Sequence, residues 1–191
     1  MLVGVVLAAG RSSRLGFPKA LAELEGETFV ARAIRTLTEG GCGEVCVVVA
    51  PPHGATIEAV LPGVPVVHNP EPDRGMLSSL QVGLGWAVSR PELGGVLFSL
   101  VDHPRLRAST VRCLIAAGTR RALRPVFAGR GGHPVLLDPG AVRDLLAAEP
   151  TASIRDVLGT LEDLEVDDPG VVDDIDDLAG LEALGGTSTR E

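Results

Sequence analysis

Short, unbroken apolar runs alternate along the chain with stretches in which apolar positions recur every three or four residues. Residues 2–8 are continuous and rich in β-branched side chains, the pattern of a strand buried on both faces. Residues 28–37 place Phe29, Ala33 and Leu37 at helical spacing. Residues 44–50 read as a second strand, 55–61 as a short helix and 64–68 as a third strand. Residues 78–89 form a helical pattern with Leu80, Leu84 and Val88 on one face, and 95–101 (GVLFSLV) form another buried strand. Residues 109–118 follow as a helix with Ser109 as its N-cap. Residues 125–127 and 134–137 are strand pieces, 140–148 and 152–158 helices, 161–166 a strand, and 176–184 a last helix. This rhythm predicts an α/β fold: a three-layer α/β/α arrangement around a mostly parallel, Rossmann-like sheet, with a small mixed edge from the later strands. Residues 1–184 form a single domain, and 185–191 a flexible C-terminal tail. Ligands of such sheets sit beyond the carboxyl ends of the strands, so the loops after Ala8, His68, Val101 and Val166 are where chemistry is expected.

Composition narrows the choices. The 191 residues are 45% hydrophobic and 22% charged, ordinary usage for one globular domain. Four Phe, one Trp and no Tyr leave little for a base-stacking surface, and a net charge of −8 argues against nucleic-acid binding. The charge is uneven. Residues 156–189 hold 11 acids and no Lys or Arg, so the remainder balances at +3 and could host an anionic ligand. Cys42, Cys46 and Cys113 form no CxxC pair, which fits a reduced, cytoplasmic compartment. No signal peptide is read at residues 2–9, and no apolar run approaches the ~18 residues that would cross a membrane.

The first loop, Ala8 to Lys19, joins small residues (Ala8, Ala9, Gly10) to two hydroxyls (Ser12, Ser13) and three cations (Arg11, Arg14, Lys19). Gly10 and Gly16 allow unusual dihedrals, and consecutive N–H donors beside cations suit a polyphosphate. It is neither a P-loop nor a GxGxxG fingerprint, because Lys19 stands between Pro18 and Ala20 and the glycines are wrongly spaced. Lys19 is the only lysine in the chain; the other 16 basic residues are arginine. A compact ammonium differs from a guanidinium in reach and geometry, which singles out this position.

Residues 7–19 (LAAGRSSRLGFPK) resemble the LAAGxSxRxGxxK motif of MobA-like nucleotidyltransferases, and most closely that of the molybdenum cofactor cytidylyltransferases. Residues 74–84 (RGMLSSLQVGL) are similar to GMxxSLxxGL, 100–104 (LVDHP) stand at the place of GDxP, and 129–137 (GRGGHPVLL) resemble GRxGHPVL. Residues 172–178 (VDDIDDL) are similar to the closing DIDTPEDL. Val101 and His103 depart from the family's Gly and its usual Gln or Met, and the closing motif lacks Thr-Pro.

The resemblance implies the nucleotide-diphospho-sugar transferase type of fold and a magnesium- or manganese-dependent transfer of a nucleotide to a phosphorylated acceptor. It assigns Leu7, Ala8, Ala9, Gly10, Arg11, Ser12, Ser13 and Lys19 to the nucleotide, with Arg14 and Lys19 neutralising the departing pyrophosphate. Ser78 and Ser79 would touch the base or ribose, or cap their helix. Gly132, His133 and Pro134 would orient the acceptor. Asp102 would hold Mg²⁺ (or Mn²⁺) with Asp176, or Asp174, as second ligand. Ala9, where guanylyl-transferring relatives have Gly, points to CTP, with molybdopterin as acceptor and a molybdoenzyme as recipient of the product. The alternatives are a transferase for a sugar or polyol phosphate and a non-catalytic nucleotide-binding module. His103 is expected to point away from Asp102, since neighbours on an extended chain face opposite sides.

Overall fold

The computed structural model describes residues 1–10, 16–175, 177–183 and 185–188. The strands among the described residues are β1 (Leu2–Leu7), β2 (Ala22–Leu24), β3 (Glu27–Thr28), β4 (Glu44–Val49), β5 (Val66–His68), β6 (Gly95–Leu100), β7 (Ala122–Phe127), β8 (Arg130–Gly131), β9 (Val135–Leu137), β10 (Glu162–Glu165) and β11 (Thr187–Ser188). The α-helices are α1 (Phe29–Gly40), α2 (Gly54–Ala59), α3 (Met76–Ala87), α4 (Ala108–Ala117), α5 (Pro139–Ala147), α6 (Ile154–Leu158) and α7 (Leu178–Ala183). The main sheet runs β10-β7-β9-β6-β1-β4-β5, with β8 paired to β7. β5, β4, β1 and β6 are mutually parallel, β9 lies antiparallel between β6 and β7, and β10 is parallel to β7. The expected parallel sheet with a mixed edge is therefore present.

Two apolar layers enclose this sheet. Val3, Val5 and Leu7 of β1 face Leu80 and Leu84 of α3 and the Val142–Leu145 side of α5. Val6 faces the other way, into the layer that holds Phe29, Val30 and Leu37 of α1, Ile57 of α2, and Val111 and Leu114 of α4. Both faces of β1 are thus covered, which is why its sequence is continuous rather than alternating. Helix α3 packs so closely on the sheet that a Cβ on Gly83 would lie 2.5 Å from Val5 Cγ1 and 2.9 Å from Val48 Cγ2.

Several boundaries differ from the expectation. Helix α4 begins at Ala108, so Ser109 lies inside it and caps nothing. The cap comes from a distant carboxylate: Asp168, only 2% exposed, accepts from Arg107 N (3.0 Å) and Thr110 Oγ1 (2.6 Å) through Oδ2. Its Oδ1 accepts from Gly170 N at 3.0 Å. A second, small sheet, β11-β2-β3, was not legible. It contains a two-residue hairpin in which Glu25 (φ 54°) and Gly26 (φ 77°) are both left-handed. Of residues 185–191, Thr187 and Ser188 pair antiparallel with Glu23 and Ala22. Among the described residues no helix is long and apolar enough to cross a membrane.

Candidate active site

Strand β1 is the point at which the order of strands reverses: β4 and β5 follow on one side of it and β6 on the other. A crevice opens at the carboxyl ends of parallel strands at such a reversal. Here it is a cleft of about 380 Å³. Leu7, Ala8, Ala9 and Gly10 line it from the end of β1, Leu100, Val101 and Asp102 from the end of β6, and Met76 and Ser79 from the start of α3. Lys19 enters from a short 3-10 turn, Lys19–Leu21, that follows Pro18. Gly16 adopts the left-handed φ (73°) expected of it, whereas Gly10 does not. Arg11, Ser12, Ser13 and Arg14 lie outside the described residues.

Lys19 and Asp102 meet at this cleft. Nζ donates to Oδ2 at 3.3 Å, with the two side chains 13% and 20% exposed. The pair is half-buried, so its attraction is less screened than that of a surface pair. Its geometry is held from behind by Arg32 of α1. That guanidinium donates through Nε to the Pro104 carbonyl (3.0 Å) and through Nη1 to the Leu24 carbonyl (2.9 Å). One side chain thereby ties the loop that follows Asp102 to the hairpin that follows Lys19. Nothing in the residue pattern signals this strut, because α1's polar face reads as ordinary solvated surface.

The acidic closing segment reaches the same place. Ile175 N donates to the Asp102 carbonyl at 3.0 Å, and Arg105 Nη1 pairs with Asp173 Oδ2 at 3.0 Å. Asp174 is exposed beside this contact, and Asp176 lies outside the described residues. Among the described residues no three His, Cys, Asp or Glu side chains gather into a metal-holding set. Asp102 at the cleft and Asp174 on the segment docked against it offer only carboxylate oxygens. That set fits Mg²⁺ or Mn²⁺, which take their remaining ligands from water and substrate phosphates.

Ser79 lines the cleft, while Ser78 sits behind it; both are 6% exposed. Neither is the cap of α3, whose N-cap is Gly75. Both hydroxyls accept from Nδ2 of Asn69, at 2.9 Å each, and Asn69 Oδ1 accepts from Glu71 N at 2.9 Å. Asn69 is 2% exposed and follows β5, so it ties the loop after His68 to the start of α3. A lone Asn before Pro70 reads as a turn residue, and its role was not anticipated.

Gly132, His133 and Pro134 do not line the cleft. Gly132 has a packing reason of its own, since a Cβ there would collide with the Val171 carbonyl. The His133 ring packs edge-on against Phe98 (5.7 Å between centroids) and tilted against His103 (5.3 Å). Burial, and then the neighbouring His103 imidazole, push the His133 pKa down to about 3. His103 itself is buried and does not point away from Asp102: its Nε2 lies 3.7 Å from Asp102 Oδ1. Cys42 and Cys46 are buried core thiols pushed up to about 12 by desolvation, and Cys113 is an exposed free thiol.

Residues 4–165 match the family model for the MobA-like NTP transferase domain. A nicotine blue oxidoreductase of Paenarthrobacter nicotinovorans is 35% identical over 153 residues, 73% of this chain and 72% of that protein. A probable molybdenum cofactor guanylyltransferase of Rhodopirellula baltica is 31% identical over 164 residues, 84% of this chain and 74% of that protein. Among solved structures, Rv0371c of Mycobacterium tuberculosis H37Rv aligns with a TM-score of 0.83 at 26% identity, covering 96% of both chains. A complex of the same protein with manganese aligns at 0.78 and 24%, covering 96% of this chain and 97% of that one.

Proposed function

The chain belongs to the MobA-like NTP transferase family and is a nucleotidyltransferase acting on small molecules, and from that premise we propose that it transfers CMP from CTP to the terminal phosphate of molybdopterin or its molybdenum-loaded form. The observation that carries the reading is the Lys19–Asp102 pair at the mouth of a cleft formed by β1 and β6.

An acceptor phosphate oxygen attacks the α-phosphorus of the triphosphate in line. The new P–O bond forms as the bond to the bridging oxygen breaks, and that oxygen leaves with pyrophosphate. The acceptor is already ionised, so the chain need not supply a strong base. Its contribution is placement and charge. The Ala8–Gly10 backbone lets the phosphates approach closely, and Lys19 turns its ammonium toward the charge that develops on the leaving group. Arg14, with Arg11, Ser12 and Ser13, belongs to the same phosphate loop in this reading. Ser79, held by Asn69, faces the sugar or base. Asp102, with Asp176 or Asp174, would hold Mg²⁺ or Mn²⁺, which supplies further charge neutralisation at the triphosphate; the manganese bound by the mycobacterial neighbour supports this choice.

CTP is preferred because the Ala9 methyl lines the cleft where a glycine would leave room for a larger base. The guanylyltransferase name of the Rhodopirellula relative makes GTP the competing donor. The reading also places the protein in the cytoplasm, handing its product to a molybdoenzyme. The test is pyrophosphate release with molybdopterin, Mg²⁺ and each of CTP, GTP, ATP and UTP. Release with CTP alone is expected. Release with GTP alone overturns the base assignment and keeps the mechanism; silence with all four overturns molybdopterin as acceptor. A parallel assay of nicotine blue oxidoreduction checks the reaction class named for the Paenarthrobacter relative, and turnover there without pyrophosphate release would overturn the transfer reading.

A further inference from the structure

Asp102 uses its two carboxylate oxygens differently. Oδ2 pairs with Lys19 at the cleft. Oδ1 is buried and has no hydrogen-bond partner among the described residues. A buried carboxylate oxygen without a donor is costly, and the side chain would be expected to turn until one is found. What faces Oδ1 is the His103 ring, with Nε2 3.7 Å away, just beyond hydrogen-bond range. His103 is itself locked in place. It is 8% exposed, and the His133 ring lies against it at 5.3 Å with 32° between the planes. The backbone on either side is also pinned, by Ile175 N on the Asp102 carbonyl and by Arg32 Nε on the Pro104 carbonyl.

We propose that His103 is a positioning residue for Asp102, its Nε2–H closing on Oδ1 so that Oδ2 is held toward Lys19 and the cation. The inference rests on the reading of Asp102 as a metal ligand. It gives the imidazole a defined tautomer, with the proton on Nε2 and Nδ1 bare. It also gives His133 a part: its ring backs His103, so the 129–134 loop and the Asp102 carboxylate are mechanically joined. Partners behind a metal ligand commonly carry a 10–100-fold share of metal affinity.

The experiment compares Mn²⁺ binding, followed by the electron paramagnetic resonance of the free ion, in the full-length wild type, His103→Phe, His103→Gln and Asp102→Asn. His103→Phe keeps a flat ring against His133 and removes the donor; His103→Gln keeps a donor. Expected is a loss of roughly tenfold or more in Mn²⁺ affinity for His103→Phe and recovery to within about threefold for His103→Gln. Wild-type affinity in His103→Phe, or equal losses in both His103 variants, overturns the role of His103. Asp102→Asn separates the two levels: if it keeps wild-type affinity, the metal assignment itself has failed. Should His103→Phe not fold, ¹⁵N NMR of the wild-type imidazole decides. A proton on Nε2 supports the proposal, and a proton on Nδ1 alone overturns it.

Discussion

Lys19 and Asp102 meet across the cleft, so replacing Lys19 removes the ammonium that faces Asp102 Oδ2. Lys19→Ala is expected to lower kcat/KM for pyrophosphate release by about 10²–10³-fold, the usual effect of removing one stabilising group at developing charge. The thermal midpoint should hardly move, because the ammonium packs against no core layer. Lys19→Arg should recover only part of the rate, since a planar fork does not reproduce a point charge. Asn69→Ala tests the other side of the cleft. It removes the donor to both Ser78 and Ser79 and is expected to cost about 1–3 kcal/mol of stability in urea unfolding, together with a raised KM for the nucleotide. At this scale the sequence was informative where chemistry is concentrated. Lys19 stood out as the one lysine, and Asp102 as the acid closing a buried strand. His103 was misplaced because alternation holds only while a strand continues. Strand β6 ends at Leu100, the chain turns, and Asp102 and His103 come to face each other.

Elements of six or more residues with a clear period were legible: the parallel strands announce themselves by double burial, and α1 and α3 by their stripes. The β2–β3 hairpin was not, because strands of two and three residues have no period to read. Its signal was the Glu25-Gly26 pair. Glu25 occupies a left-handed conformation that an L side chain pays for, and Asn tolerates better. Glu25→Asn is therefore expected to stabilise the protein by about 0.5–1 kcal/mol, read as a shift of the urea midpoint at unchanged m-value. Gly83 tests the opposite case. Alanine would improve helix propensity by about 1 kcal/mol, but its Cβ would press on Val5 and Val48. Overpacking of about 1–3 kcal/mol wins, so Gly83→Ala should lower the unfolding midpoint. The capping of α4 by Asp168 was illegible for a different reason: the donor and acceptor come from distant segments, and no local pattern joins them.

The whole molecule should lose stability in mild acid through His133. In the unfolded chain this imidazole takes up a proton with an ordinary pKa near 6.5, while in the folded state it stays neutral until about 3. Unfolding thus binds a proton throughout that window, and stability falls as the pH drops from 6.5 toward 3. Unfolding midpoints measured from pH 7 to 4 should decline less steeply in His133→Leu than in the wild type. The charge asymmetry that composition revealed also has a structural sense: the acidic stretch does not stay apart from the basic body, but lays Ile175 on the backbone of Asp102 and Asp173 on Arg105. That junction bears on how the protein is born. Translation runs at roughly 5–20 residues per second, so a nascent chain carries Asp102 for several seconds before Ile175 exists to meet it. The parallel strands β1, β4, β5 and β6 are all made by then, yet the acidic segment that docks on Asp102 is still on the messenger. Synthesis therefore completes these strands before the segment that docks on Asp102, and a chain cut short ahead of Ile175 keeps the strands without that backbone contact.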